Sequence, residues 1–190
     1  MIKQIILLTV IIILIVYIIL KSIVFYLKNK VSPIQFLHIK GIESTLWLFF
    51  MLSILLYLLH ASLFYLGITQ IWFSNIITDL IGYVLLILGL IILIISHAQM
   101  GKSWRMGNDQ KNKFELVKKG IFSISRNPIY LGIILLGISA FILAPTPLSL
   151  ALALFLIINF NLIIRLEEKF LEKKLGKSYL DYKKKIRRFI

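Results

Sequence analysis

Two short polar segments carry the residue types that could do chemistry in this chain. The first, 125–132, reads Ser-Arg-Asn-Pro-Ile-Tyr-Leu-Gly and leads into an apolar run; the second, 165–168, reads Arg-Leu-Glu-Glu and ends the next apolar run. Asn127 suits a helix N-cap and Pro128 suits the first helical position, so the new helix would present free backbone donors and its positive dipole end to an anion. We therefore predict a site for a small charged cofactor where the two segments meet.

The second segment belongs to a longer polar face. Steps of four, three and four residues place Asn161, Arg165, Glu168 and Glu172 on one side of a helix. Ionised groups near a membrane are costly unless they are paired or hydrated. From residue types alone, this face is either an interfacial salt-bridge ladder or a binding site, and both interpretations stay open.

The composition is that of a membrane protein. Of the 190 residues, 59% are hydrophobic, against roughly 45–50% in soluble chains, and the mean hydropathy is +0.93. The chain contains no cysteine, which excludes disulfides, thiolate metal sites and cysteine nucleophiles. Its three histidines form no i, i+4 pair, so no metal site is predicted. The run from Ile5 to Leu20 lacks a following cleavage signal and is expected to remain as a span.

The elements that position the polar segments are predicted to be helices, in an all-α polytopic membrane protein. Crossing the hydrocarbon takes about 20 apolar residues, and five segments meet or approach that length. They are Ile5 to Leu27, Thr45 to Leu66, Ile76 to Ser96, Ile129 to Ala144 and Leu148 to Ile164. Pro145-Thr146-Pro147 forces a tight reversal, so the last two form a Pro-linked hairpin whose arms are short for a full span.

We expect one membrane domain with no second domain. It comprises three N-terminal spans in 1–96, a loop in 97–128, the hairpin in 129–164 and an amphipathic C-terminal helix in 165–190. With five spans, 21 of the 22 Lys and Arg residues fall on one side, which predicts that the loop and the C-terminus are cytoplasmic. The net charge of +14 is confined to the ends of spans, which favours contact with membrane lipids over nucleic acid.

Two further surface assignments follow from local composition. Trp104 and Arg105 come directly after the third span and suit an interfacial anchor, and residues 108–113 form a polar run that predicts a surface turn. Tyr179 and Tyr182 lie at i, i+3 in a basic tail that is expected to lie on the bilayer.

The ordered motifs resemble those of a known group of integral-membrane enzymes, the isoprenylcysteine carboxyl methyltransferases and phospholipid methyltransferases. They are Arg-Asn-Pro-Ile-Tyr-Leu-Gly at 126–132, Glu-Glu at 167–168, Gly-Lys-Ser-Tyr-Leu-Asp-Tyr at 176–182 and Arg-Phe-Ile at 188–190. The similarity runs from Trp104 to the C-terminus. It implies an S-adenosylmethionine-dependent methyltransferase that acts on a lipophilic or amphiphilic acceptor. Its cofactor would be enclosed by the last two spans, the preceding loop and the C-terminal helix.

The resemblance also implies residue roles. The cofactor contacts would come from Leu116, Val117, Gly120, Phe122, Arg126, Asn127, Pro128, Tyr130, Gly132, Glu167, Glu168, Tyr179 and Tyr182. Asn127 stands where many relatives have histidine, and either Glu167 or Glu168 would meet the cofactor's ammonium. Arg165 would face the acceptor. A carboxylate acceptor needs no base, whereas for an amine or thiol Glu168 or Tyr182 would take a proton; Arg165 and Glu168 are thus the predicted catalytic residues.

The acceptor's tail is predicted to enter sideways from the bilayer between the hairpin arms, guided by Ile133, Leu136 and Phe155. Two other classes of protein stay open. One is a membrane reductase of related topology that uses a nicotinamide cofactor. The other is a non-catalytic membrane anchor whose polybasic tail binds anionic lipid.

Overall fold

The computed structural model describes residues 2–38, 41–109 and 115–189, and within these ranges it is helical without strands. The helices are α1 Ile2–Asn29, α2 Ile42–Tyr65, α3 Ile76–Met100, α4 Pro128–Leu143, α5 Pro147–Leu175 and α6 Lys177–Lys185. The predicted all-α class is confirmed. Residues 110–114, which include most of the predicted surface turn, and Ile190 lie outside the described residues.

The apolar helices match the predicted spans in number and order. Helices α1, α2, α3 and α5 are long and apolar enough to cross a membrane, and α4 is a shorter apolar helix of 16 residues. With this hydropathy and length, the chain is an integral membrane protein.

The turn between α4 and α5 forms the predicted Pro-linked hairpin. Thr146 is the N-cap of α5: its Oγ1 accepts from the amide of Ser149 at 3.1 Å, while the Thr146 amide donates to Ser149 Oγ at 3.0 Å. This reciprocal capping fixes where α5 begins, and Pro147 fills its first helical position. The hairpin therefore follows from local sequence.

The far end of α5 differs from the prediction. The helix does not end near Ile164 but continues to Leu175, so the prediction of a short fifth arm is wrong. No proline or glycine interrupts the run until Gly176, whose φ of 54° is accessible to glycine and ends the helix. The predicted C-terminal helix 165–190 is instead the last turns of α5 followed by α6.

Close backbone contact joins α3 to α4. A methyl group added at Gly132 would lie 3.0 Å from the carbonyl oxygen of Gly89, and one added at Gly89 would lie equally close to the oxygen of Gly132. Helix α4 also packs on α5, α5 packs on α2, and α1 packs on α2. Aromatic rings fill the centre of the bundle, with Phe160 at 4.9 Å from Phe50 and 5.0 Å from Tyr130.

The two ends of the bundle differ in character. At one end, Lys3 of α1 contacts Asp79 of α3 at 2.9 Å, and the Trp72 amide donates to the Pro145 oxygen at 2.9 Å. The opposite end, which we call the loop end, carries residues 101–109 and 115–127, the last turns of α5, and α6. Both polar segments of the sequence lie at the loop end, together with most of the described Lys and Arg residues.

Candidate active site

One cavity of about 280 Å³ runs from the loop end into the bundle. Its first part, the polar chamber, is lined by Asn108, Asp109, Glu115, Leu116, Val117, Phe122, Arg126, Asn127, Pro128, Tyr130, Glu167, Glu168, Tyr179 and Tyr182. Its second part, the apolar arm, is lined by Leu7, Val10, Ile11, Leu14, Ile15, Ile18, Tyr57, Leu86, Leu93, Ile133, Leu136, Ala140 and Leu156. The cavity therefore joins a charged compartment to one suited to hydrocarbon.

Glu167 lines the polar chamber without a cationic partner. Its Oε1 accepts a hydrogen bond of 2.5 Å from the hydroxyl of Tyr130, which lies in the first turn of α4. None of the described salt bridges includes Glu167. A carboxylate in a part-buried chamber without a protein cation is suited to a positively charged ligand group.

Glu168, its neighbour in the chain, forms ion pairs with three cationic side chains. It is 4% exposed, and its oxygens lie 2.9 Å from Arg126 Nη2, 2.8 Å from Arg188 Nη2 and 3.7 Å from Lys183 Nζ. In return, the hydrogen bond to Glu168 raises the pKa of Arg188. A carboxylate held by these charges is a poor proton acceptor. Glu168 instead ties α5 to the loop before α4 and to the C-terminal segment.

The C-terminal segment pairs with the start of the first motif. Ser125 and Arg187 form a parallel bridge, and the amides of Arg126 and Asn127 donate to the oxygens of Arg187 and Arg188 at 3.0 and 3.2 Å. This pairing encloses the polar chamber on its loop side. These residues therefore pack on the loop before α4, and the expectation that the tail lies on the bilayer stays a prediction.

The tyrosines of α6 are buried against the chamber. The Tyr182 hydroxyl donates to the Phe122 oxygen at 2.6 Å, and Tyr179 is 2% exposed. Burial raises the pKa of Tyr182 to about 12 and also raises that of Tyr179. Both phenols are thus protonated at neutral pH, so Tyr182 is suited to positioning and not to accepting a proton.

Asn127 is the N-cap of α4 by position but makes no side-chain cap. Its Nδ2 donates instead to the Arg188 oxygen of the C-terminal segment at 3.4 Å. The expected capping hydrogen bond is therefore absent. Among the described residues, no group accepts from the amides of Ile129 and Tyr130, and both residues line the cavity.

Three of the predicted site residues lie outside the cavity lining. Gly132 packs against Gly89 between α3 and α4. Gly120 has a φ of 63° and sits beside the side chain of Gln99, which accepts from the Ile121 amide at 2.8 Å. Arg165 is exposed on α5.

The polar face of α5 is not a salt-bridge ladder among its own residues. Arg165 takes part in none of the described ion pairs, since Glu168 turns toward Arg126 and Arg188 instead. The predicted contact of Arg165 with an acceptor stays a prediction. Of the residues predicted to guide a tail, Ile133 and Leu136 line the apolar arm, whereas Phe155 packs on Phe49 at 6.3 Å.

Segment 104–109 is a chamber wall that sequence reasoning placed at the surface. Trp104 is 2% exposed and packs edge-on against Phe25 at 5.9 Å and His97 at 5.5 Å, so the anchor assignment is wrong. Arg105 Nε donates to Asp109 at 2.9 Å. A tryptophan after a span fits an interfacial belt and a buried seam equally well, and the sequence alone could not separate them.

Glu43 supports the wall of the polar chamber from outside the cavity lining, and sequence reasoning missed it. Its two carboxylate oxygens accept from the backbone amide and the side-chain amide of Asn108, both at 2.8 Å. Asn108 and Asp109 are consequently buried, which corrects the predicted surface turn for these two residues. The available signal was an isolated acid in the first turn of an otherwise apolar helix. Its partner lies 65 residues away and has no local signature.

Comparison with known proteins identifies the family. A model of the phospholipid methyltransferase family matches residues 77–178, which is more than half of the chain. The chain belongs to the phospholipid methyltransferase family. The family match includes α3, α4, α5 and the loop between α3 and α4, so it covers most of the polar chamber.

A relative within this group of membrane methyltransferases supports the same assignment. The protein-S-isoprenylcysteine O-methyltransferase of Saccharomyces cerevisiae is 34% identical over 109 residues, which are 56% of this chain and 46% of the yeast protein. The match thus spans less than half of that relative. No solved structure matches the chain. The resemblance expected from the motifs is confirmed at the level of the family.

Proposed function

We propose that this protein is an integral-membrane, S-adenosylmethionine-dependent methyltransferase. Its acceptor would be lipophilic or amphiphilic, either a carboxylate of the isoprenylcysteine type or a lipid headgroup. The observation that carries the proposal is a single cavity in which the unpaired acid Glu167 lies beside an apolar arm. Family membership supports methyl transfer as the reaction.

The residues of the polar chamber fit this cofactor. Glu167 offers the negative charge that an ammonium group requires. The cofactor's carboxylate would find the amides of Ile129 and Tyr130 and the buried Nε of Arg126, which has no partner among the described residues. An adenosine would rest on the apolar side chains of the wall. These are Leu116, Val117 and Phe122.

The bound cofactor would supply a methyl group on a sulfonium, and the chain's own residues would supply alignment and exclusion of water. An acceptor atom that carries a proton would need a base among the chain's own residues, whereas an anionic acceptor would need only alignment and exclusion of water. Tyr182 is protonated, Glu168 is held by cations, and Glu167 is assigned to the ammonium. The chamber therefore favours an acceptor that is already anionic, such as a carboxylate.

The proposed protein has a definite orientation in the membrane. The loop end carries most of the described basic residues, so the polar chamber would face the cytoplasm. A nicotinamide-dependent reductase and a non-catalytic lipid anchor are the alternatives from the sequence. Membership in a methyltransferase family favours the first assignment over both.

Ligand binding by the purified protein in detergent tests the proposal. We expect saturable binding of S-adenosylhomocysteine by calorimetry, with displacement by S-adenosylmethionine and no binding of NADPH. Tyr130→Ala should weaken binding because it removes the hydrogen-bond partner that orients Glu167. Leu154→Ala, on the exposed face of α5, is the matched control and should bind normally. A folded protein that binds NADPH alone would support the reductase, and one that binds neither ligand would support the anchor.

A further inference from the structure

Helix α1 closes one side of the apolar arm without filling it. Along its inner face, Leu7 and Phe25 near the two ends are buried. Between them, Ile11, Leu14 and Ile18 continue the same face, yet they are only partly buried and line the cavity. The middle of α1 therefore packs on the core through residues such as Ile11 and Ile18, yet leaves them partly exposed to the cavity.

The described polar and ring contacts between α1 and α3 are made by Lys3, Tyr17 and Lys21, and none is made by the residues of α1 between Lys3 and Tyr17. Lys3 contacts Asp79 at 2.9 Å, at the end opposite the loop end. At the loop end, Lys21 Nζ donates to the His97 oxygen at 3.0 Å, and the Tyr17 ring stacks on the His97 ring at 5.7 Å. Only 6% of the most apolar stretch of α1 is buried, against 33% for α3. Between these contacts, residues of both α1 and α3 line the apolar arm.

A polar atom without a partner marks the point where the apolar arm meets the polar chamber. Trp47 is 4% exposed and lines the cavity, and its Nε1 has no hydrogen-bond partner among the described residues. Its ring lies 6.4 Å from that of Tyr130, whose hydroxyl binds Glu167. A buried N–H without a partner is disfavoured, and an oxygen atom of a ligand in the cavity would satisfy it.

We propose that the apolar arm binds the single hydrocarbon tail of the methyl acceptor, which enters between α1 and α3, while Trp47 donates a hydrogen bond to an oxygen of the acceptor's head. This inference rests on the proposed function. It places the tail along α1 instead of between α4 and α5. Helix α1 and Trp47 both lie outside the family match at 77–178, so they are positions at which this chain can set its own acceptor specificity.

A photoreactive fatty acid tests the site directly. The probe is palmitic acid with a diazirine at the end of its tail, because it combines one hydrocarbon chain with a carboxylate head. The full-length protein in lipid nanodiscs is cross-linked with this probe, and the labelled peptides are mapped by mass spectrometry. We expect labelling of the cavity-facing residues of α1 and α3 that saturates and is displaced by unlabelled palmitic acid. Lipid surrounding the protein gives labelling that does not saturate.

Three variants locate the tail and the head. Leu14→Trp fills the apolar arm and should lower the saturable labelling about ten-fold. Ile13→Trp, on the neighbouring face that is 59% exposed, is the matched control and should not change it. Trp47→Phe keeps the ring and removes the N–H, so the probe's apparent affinity should fall about five-fold. A purely structural role for Trp47 predicts no such loss, because the N–H has no protein partner.

The outcomes separate this site from the cofactor site. Binding of S-adenosylhomocysteine is measured on each variant and should stay unchanged, which also reports correct folding. Labelling that does not saturate, or that Leu14→Trp leaves intact in a protein that binds the cofactor product, would overturn the tail site. Saturable labelling of α1 and α3 in a protein that fails to bind S-adenosylhomocysteine would support the tail site and count against the proposed methyltransferase.

Discussion

Glu167 and Glu168 are adjacent in the chain and differ in every contact that matters. A helix rotates by about 100° per residue, so one side chain meets Tyr130 in the chamber and the other meets Arg126 and Arg188 at its rim. The sequence placed both acids near the first motif, because a Pro-linked hairpin brings its two polar ends together. It could not assign their roles, since the partners come from segments 20 to 42 residues away.

Glu167→Gln should weaken binding of S-adenosylhomocysteine without unfolding the protein. Gln keeps the shape and can still meet Tyr130, but it lacks the charge that an ammonium group requires. Losing a charge-assisted hydrogen bond corresponds to about 1–3 kcal/mol, or roughly a five- to 150-fold rise in Kd. Calorimetry on the purified variant gives the Kd, and thermal unfolding without ligand gives the control. An unchanged Kd would remove Glu167 from the cofactor site.

Glu168→Gln should show the reverse pattern. The substitution leaves Arg126 and Arg188 close together without their shared counter-charge, which should lower the free energy of unfolding by about 1.5–3 kcal/mol. The loss appears as a lower Tm in the absence of ligand. At a temperature where the variant is folded, its Kd for S-adenosylhomocysteine should change less than that of Glu167→Gln. Equal affinities and equal stabilities for the two Gln variants would contradict this division of roles.

At the scale of elements, the sequence predicts a helix boundary correctly where residues within a few positions of it determine that boundary. Pro145, Thr146 and Pro147 specify the hairpin because capping and the missing proline amide act within a few residues. The end of α5 was misplaced because hydrophobicity ends near Ile164 while the helix does not. Glu, Lys and Arg have good helix propensity, and beyond Ile164 the ion pairs of Glu168 with Arg126 and Arg188 also hold the helix in place. That reason lies in tertiary structure and leaves no trace in the apolar pattern.

Gly132→Ala should destabilise the seam between α3 and α4. Intrinsic helix propensity favours alanine by about 1 kcal/mol, so any loss must come from packing. The added methyl group would lie 3.0 Å from the Gly89 oxygen, a backbone atom that cannot turn aside. We expect a net loss of about 1–3 kcal/mol in the free energy of unfolding. Ile91→Ala, on the exposed face of α3, is the control in the same thermal-unfolding assay. A Tm at or above that of the parent would mean that the helices can separate freely.

At the scale of the whole molecule, the cavity combines parts of the chain that no motif connects. The sequence predicted a pocket at the hairpin, and the polar chamber lies there. It did not predict α1 as a wall of the apolar arm, because the residues from Ile5 to Leu20 are nearly all apolar, and apolar side chains suit both a lipid-facing and a cavity-facing position. The contribution of Glu43 was hidden for a related reason, since its contact with Asn108 joins two distant segments.

The membrane topology concerns the whole chain, and the distribution of Lys and Arg predicts which end of the bundle faces the cytoplasm. Reporter fusions at Lys111 and Ile190 should locate these positions in the cytoplasm, and a fusion at Thr146 should locate the hairpin turn on the opposite side. The structure agrees in placing Thr146 at the end opposite the polar chamber. Because the chain has no cysteine, single cysteines at exposed loop positions with an impermeant maleimide provide an independent check. Thr146 on the same side as Ile190 would contradict the hairpin and the site built on it.

Because one cavity joins the apolar arm to the polar chamber, the structure predicts in which fraction the methylated acceptor is recovered. A tail in the apolar arm and a head in the polar chamber require a molecule that partitions into the bilayer. Incubation of protein-containing membranes with methyl-labelled S-adenosylmethionine should therefore place the label in the organic extract, with none above background in water-soluble metabolites. Membranes that contain the Glu167→Gln variant, at equal protein content, should show less of that label, by about the factor found for cofactor affinity.

If the acceptor is a carboxylate, mild alkali should release the label as methanol, because esters hydrolyse under conditions in which methylated amines and thioethers survive. Label confined to water-soluble products would contradict an acceptor held in the apolar arm, while still supporting methyl transfer in the polar chamber.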